Sequence, residues 1–249
     1  MEEGSIVYID YDLYEVDSGK LIETTREETA KSNDVHEESR NYEPLCITIG
    51  AGALIPGFEE SLEEAEAETD YDIEIPADKA YGERDPGAVE MLGPQQLARQ
   101  VRDPDNLQVG GPVEIGGRKG TLVMFRAGRA RIDFNHELAG KSLRYNYRIT
   151  KVVEEKDEMV MTLLKMSTGS DDFEVEFDGD DVSITIPEFL GYDQSWRMAK
   201  FQLIRSLRDT VGAKTIVFRD VHQFREAAEE EEEEHVHDEN CDHDHDEEE

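Results

Sequence analysis

Two groups of residues in this chain could do chemistry. The first lies near the C-terminus, where His235, His237, Cys241, His243 and His245 fall within one short span. Imidazole and thiolate are ligands for Ni²⁺, Zn²⁺ or Cu²⁺, and the carboxylates between them add oxygen donors. Their spacing fits no defined zinc finger, so the expectation is a low-selectivity site for Ni or Zn, with an acidic solvating tail as the alternative. The second is the stretch "IGAGALIPGFEESL", residues 49–62, broken by Gly50, Gly52 and Gly57. A phosphate loop needs Lys and Ser or Thr after its last glycine. Here Phe58, Glu59 and Glu60 follow, which places carboxylates where phosphates would sit. What remains is a turn that presents Leu54, Ile55 and Phe58 to something apolar and uncharged. Each of these alone would be an ordinary core residue. Tyr81, in the loop "ADKAYGERDPG", is more specific, because it has little core to fill there.

The elements that must position these groups follow from the pattern. Ile6 to Tyr14 is rich in β-branched and aromatic residues and turns at "VDSGK" before "KLIETT", which predicts a hairpin. Thr25 followed by Glu28 is a capping-box signature for a short helix, and the chain returns at "PLCITIG". Pro56 sits ahead of Phe58, Leu62 and Ala65 at helical spacing, and "YDIEIP" alternates as a strand. From about Ala88 to His136 repeated glycine turns separate short β runs, with "GPQQLARQV" as a brief helix; "SLRYNYRITKVVEE" is again a strand. Beyond 153 three strands are expected ("MVMTLLKM", "FEVEF", "VSITIP"), then a helix with Trp196, Ala199, Leu203, Leu207 and Val211 on one face, then the strand "KTIVFRDV". That is a small α+β domain. Residues 227–249 lose their apolar content and are expected to be a disordered tail.

Charge narrows the partners. The chain has 249 residues with 61 acidic and 26 basic side chains, a formal charge of −35. Setting aside residues 226–249 still leaves 46 acids against 26 bases, a net −20, so the acidity belongs to the folded part as well. Nucleic acid and anionic membrane are both disfavoured as partners. Such self-repulsion is relieved where the Debye length shrinks to about 3 Å near 1 M salt, which points to a high-salt cytoplasm. Two cysteines make no disulfide framework, and no apolar run approaches the roughly 18 residues of a membrane span. The expectation is a cytoplasmic protein.

Four ordered segments, "YDLYEVDSGKLIETT", "IGAGALIPGFEESL", "IPADKAYGERDP" and "SLRYNY", together resemble the FKBP-type peptidyl-prolyl cis-trans isomerases. The resemblance implies an α+β fold: an FKBP-like bent antiparallel β-sheet around a short helix, formed by residues 1–87 and 137–152. Residues 88–136 stand where SlyD-like members carry an inserted, chaperone-like flap domain, and "DFNHELAGKSL" resembles its return to the sheet, with Glu137 in place of a common proline. His136 belongs to that motif and reads as structural. Residues 153–226 are similar in arrangement to the C-terminal extension of long archaeal members, where a homodimer contact is one reading. SlyD-like proteins also commonly have a histidine-rich metal-binding tail.

The resemblance further implies a proline pocket lined by Tyr11, Ile22, Glu23, Leu54, Ile55, Phe58, Tyr81 and Tyr145. Ile55 and Phe58 would form the floor, Leu54 the rim, and Tyr81 would offer its hydroxyl to a substrate carbonyl. Glu23 stands where an aspartate is usual, and Phe58 where some members have tryptophan. Rotation about X-Pro crosses a barrier near 20 kcal/mol without any covalent step. A gain of about 10⁴ in rate needs only about 5.5 kcal/mol of preferential binding of the twisted amide, and no cofactor. The partners would be unfolded or nascent polypeptides, drawn to the pocket by exposed apolar residues of the insertion such as Val113, Leu122, Val123, Met124 and Phe125; a small self-contained core is the other reading of those five. Two further readings are a non-catalytic binder of proline-containing segments and a metal-delivery protein acting through the tail.

Overall fold

The computed structural model describes residues 1–101 and 107–222. In chain order the first part contains β1 (Ile6–Glu15), β2 (Leu21–Thr24), α1 (Glu27–Ser32), β3 (Leu45–Thr48), α2 (Pro56–Glu64) and β4 (Asp70–Ile75). The middle contains β5 (Val89–Leu92), α3 (Pro94–Gln100), β6 (Pro112–Ile115), β7 (Arg118–Arg126), β8 (Arg129–Asp133) and β9 (Leu143–Val153). The last part contains α4 (Lys156–Thr168), β10 (Glu174–Asp178), β11 (Asp181–Ile186), α5 (Glu188–Gly191), α6 (Gln194–Ser206) and β12 (Thr215–Asp220). The α+β class expected from the sequence is the class observed.

The first sheet has the order β2-β1-β9-β4, with β3 sharing the β2 edge of β1, and all its pairings are antiparallel. Alternation decides its faces. Val7, Ile9, Tyr11 and Leu13 of β1 and Leu143, Tyr145, Tyr147 and Ile149 of β9 point inward, where Phe58 and Leu62 of α2 complete one buried cluster. Asp12 of β1, opposite Asn146 of β9, points the other way, and along that face Arg144 and Arg148 of β9 pair with Asp72 and Asp70 of β4. The register slips between Tyr8 and Ile9 of β1. The extra residue is Thr150 of β9, so Val153 comes opposite Ile6 on the outer face, where both pack with Tyr8 into the core of the C-terminal part.

The second sheet runs β5-β8-β7-β6 over a small cluster of Leu92, Leu97, Val113, Ile115, Leu122, Ala130 and Ile132. The third runs β10-β11-β12, with β11 and β12 parallel and joined through α5 and α6; α6 continues through a wider turn over Leu207–Val211. Trp196, Leu203, Leu207 and Val211 are buried and Ala199 packs partly buried against the same core, as their spacing predicted.

Two local expectations fail. "MVMTLLKM" is α4, not a strand. Val160, Leu163 and Leu164 are its buried face, Asp157 and Glu158 occupy the first turn, and Gly169 closes it with φ +76°. An eight-residue apolar run suits either period, and here the flanking cap signals decide. The capping box at Thr25 and Glu28 does not form either. The helix opens at Arg26 without a side-chain cap, because the Thr25 hydroxyl is engaged across the hairpin, donating to Asp10 and accepting from the Tyr11 amide.

Candidate functional site

The turn before α2 is what the opening glycines build. Gly50 and Gly52 adopt φ values of +76° and +71°, a region that glycine enters without steric cost. The chain then enters α2 with Ile55 as the extended N-cap and Pro56 at the first helical position. Gly57 serves differently: a Cβ there would lie 2.6 Å from Ile75 Cγ2 and 3.2 Å from Lys79 Cβ, so its absence lets the first turn of α2 approach the end of β4 and the loop that carries Tyr81.

These approaches bring Tyr11, Glu23, Leu54, Ile55, Phe58, Tyr81 and Tyr145 to one hollow of about 410 Å³. Ile22, the eighth expected residue, is not on its lining; it lies on β2 and packs against the sheet's core. Leu45, Ala53, Pro56 and Ala80 complete the lining. The floor is aromatic. Phe58 stacks on Tyr145 with centroids 4.2 Å apart and meets Tyr147 edge-on at 5.1 Å, while Tyr11 lies 5.8 Å from Tyr145 and 6.3 Å from Phe58. Phe58 is 1% exposed, so one edge of an otherwise buried ring faces the hollow. Other hollows of similar volume carry charged side chains from several elements, Glu60, Glu64, Glu74 and Lys79 in one and Glu15, Glu74 and Arg144 in the other.

The electrostatics keep the pocket neutral apart from one acid. Burial pushes the Tyr11 phenol far above its ordinary value, and the neighbouring Glu23 carboxylate adds to the effect. Burial does the same to Tyr145, followed by its phenol neighbours Tyr81 and Tyr11. Glu23 is balanced by Arg40, whose Nη2 donates to Glu23 Oε1 at 2.9 Å, and the Arg40 guanidinium lies 5.5 Å from the Tyr42 ring centroid. Nothing periodic in "ESRNYE" signalled that Arg40 would reach the pocket wall. At the opposite rim the Tyr81 ring lies parallel to His136, centroids 4.1 Å apart. A neutral hollow with a stacked apolar floor, a hydroxyl at one rim and a tethered carboxylate at the wall can hold a proline ring and its flanking amides. Its one carboxylate, Glu23, is engaged by Arg40.

Comparison with known proteins gives the family. A family model described as FKBP-type peptidyl-prolyl cis-trans isomerase matches residues 1–98, and one described as FKBP26_C-terminal matches residues 156–223. The short-type peptidyl-prolyl cis-trans isomerase of Methanocaldococcus jannaschii is 34% identical over 158 residues, covering 64% of this chain and 98% of that protein. The chain belongs to the FKBP-type peptidyl-prolyl cis-trans isomerases. The FKBP-type isomerases named SlyD of Helicobacter pylori and Escherichia coli strain K12 are similar too. They are 27% and 30% identical to this chain over 61% and 49% of its length, and over 81% and 62% of theirs.

His235, His237, Cys241, His243 and His245 lie outside the described residues. Among the described residues no group of His, Cys, Asp and Glu is placed to hold a metal ion, and no helix is long and apolar enough to cross a membrane. Of the five apolar residues singled out between 88 and 136, Val113 and Leu122 are buried in the small core of the second sheet. Val123, Met124 and Phe125 are exposed, because the register of β7 slips between Leu122 and Met124 and breaks the alternation.

Proposed function

We propose that this FKBP-type isomerase accelerates X-Pro rotation by binding the twisted amide in the hollow between α2 and the first sheet, without covalent chemistry. The observation that carries this is the convergence of Tyr11, Phe58 and Tyr145 as a packed aromatic floor beneath the Tyr81 rim. The planar ground-state amide is more polar than the twisted one, in which nitrogen has lost its conjugation. A dry floor therefore favours the twisted form relative to water, and Tyr81 donates a hydrogen bond to a neighbouring carbonyl. Glu23, held by Arg40, lies beside the Tyr11 phenol at the wall, where it helps keep that phenol protonated.

The second sheet is proposed as the flap-like insertion that holds unfolded or nascent chains near the pocket. The exposure of Val123, Met124 and Phe125 of β7 and of Met91 of β5 supports that role. Holding a chain there raises its concentration at the pocket without any new catalytic contact. The exposed Met198 and Phe201 of α6, beside Phe189 and Tyr192, support self-association through the C-terminal part, which sedimentation would test. Ni or Zn capture is proposed for the histidines of residues 235–245, tested by titrating Ni²⁺ against the full chain and a chain ending at Ala228; equal binding rejects it.

The test of the main reading is an X-Pro isomerisation assay on a short peptide at molar salt, with the whole chain, Tyr81→Ala, and a chain lacking residues 90–132, which keeps Asp133, Asn135 and His136. Catalysis by the whole chain, weakened in Tyr81→Ala and kept in the deletion while refolding of whole proteins suffers, is the expected pattern. An uncatalysed rate with the intact chain would reject it.

A further inference from the structure

Tyr81 has a peculiar position for a residue asked to offer a hydroxyl in a fixed direction. It follows a single helical turn, Ala77–Lys79, on a surface loop, is 38% exposed, and its hydroxyl has no hydrogen-bond partner among the described residues. An exposed tyrosine with no anchor at its tip samples several rotamers, and only one would aim the hydroxyl into the hollow. The one ring it contacts among the described residues is that of His136, parallel within 2°.

His136 is itself well fixed. Its Nδ1 accepts from the Leu138 amide at 3.1 Å, which sets the ring's orientation, and Leu138 is buried in the core of the first sheet. The two segments that carry the stacked rings are also strapped to each other. The Gly140 amide donates to the Gly82 carbonyl at 2.8 Å; the Asp85 amide donates to Asn135 Oδ1 at 2.8 Å; and Asn135 Nδ2 donates back to the Asp85 carbonyl at 2.9 Å. Arg84 and Asp133 form an ion pair across the same junction. The stack is therefore set between two segments whose spacing is fixed by one backbone bond and the two bonds of the Asn135 side chain.

We propose that His136 is the positioning residue of Tyr81: its imidazole backs the phenol ring and holds the hydroxyl over the pocket. His136 does not itself line the hollow and acts only through Tyr81. Since residues 134–140 run from β8 into β9, the rim of the pocket is set by the segment that joins the second sheet to the first. The proposal rests on the pocket reading above, in which Tyr81 contacts the substrate.

The test uses the full chain and four variants: His136→Ala, His136→Phe, Tyr81→Ala and the double variant His136→Ala with Tyr81→Ala. Isomerisation of a short X-Pro peptide gives kcat and KM, and NMR gives the ring shifts of Tyr81. Removing the stack should lower kcat roughly fivefold with KM changed less than twofold, the size expected when one aromatic pair is lost. His136→Phe, which keeps a ring there, should restore kcat to within twofold. In the Tyr81→Ala background His136→Ala should have no further effect, and in the single variant the Tyr81 ring shifts should move. An equal loss from His136→Ala in both backgrounds, or unchanged Tyr81 shifts, would overturn the proposal. Shifted Tyr81 signals with kcat unchanged in both single variants would overturn instead the pocket reading beneath it.

Discussion

Replacing Phe58 with leucine separates the ring's part in catalysis from its part in folding. Phe58 is 1% exposed and touches three other rings, Tyr145 at 4.2 Å, Tyr147 at 5.1 Å and Tyr11 at 6.3 Å. Leucine keeps most of the buried volume, so the cost is mainly the aromatic geometry. With one close stack and two looser edge contacts, that loss is about 1–2 kcal/mol of stability, small beside the 3–5 kcal/mol expected for alanine. Activity should suffer more than stability. The flat floor that favours the twisted amide is gone, and losing about 2 kcal/mol of preferential binding lowers kcat/KM roughly 30-fold. The assay is peptide isomerisation alongside thermal unfolding of the same preparation at molar salt. If Phe58→Leu folds normally and keeps kcat/KM within twofold of the wild type, the aromatic floor is not where the amide twists.

Other outcomes follow from the same structure. Burial raises the Tyr11 and Tyr145 phenols, so above pH of about 10, where the unfolded chain loses those protons and the folded one keeps them, stability should fall as pH rises. Tyr11→Phe and Tyr145→Phe should flatten that fall in alkaline unfolding curves, and an unchanged curve would contradict the assigned burial. Gly57→Ala should cost about 1–3 kcal/mol in denaturant unfolding, since its Cβ would press on Ile75 Cγ2 at 2.6 Å; a neutral effect would mean that α2 can move away freely. With a formal charge of −35, the unfolding midpoint should rise between 0.1 and 3 M KCl as repulsion is screened, and a falling midpoint would reject the high-salt reading.

Much of the first sheet was legible because its residues satisfy two constraints at once. In β1 and β9 the alternation names the inward side chains, and in "IGAGALIPGFEESL" the glycines, Pro56 and the Phe58–Leu62 spacing name a turn and a helix face. Those local signals are enough to point Tyr11, Phe58 and Tyr145 at one another. Ile22 shows where they stop: it sits in the expected strand, yet the hollow opens beside Glu23 instead. The helix α4 was illegible from its apolar run alone, since Met159 to Met166 carries no polar residue at strand period and only Gly169 marks the end. Arg40 was missed, and His136 was read only as a structural residue of its motif, for a different reason. Each reaches the pocket's residues from a segment without periodicity, and the partner that gives it meaning, Glu23 or Tyr81, lies 17 or 55 positions away in the chain.

The central claim is that the hollow lined by Phe58, Tyr81 and Tyr145 is where the X-Pro bond turns. The most direct measurement is an NMR titration of the full chain at molar salt with a short proline-containing peptide, recording both exchange between its cis and trans forms and the protein signals that move. The account predicts catalysed exchange with the largest shifts at Leu54, Ile55, Phe58, Tyr81 and Tyr145. Catalysed exchange with shifts confined to the outer face of the first sheet, around Tyr14 and Arg144, or to the second sheet would contradict it.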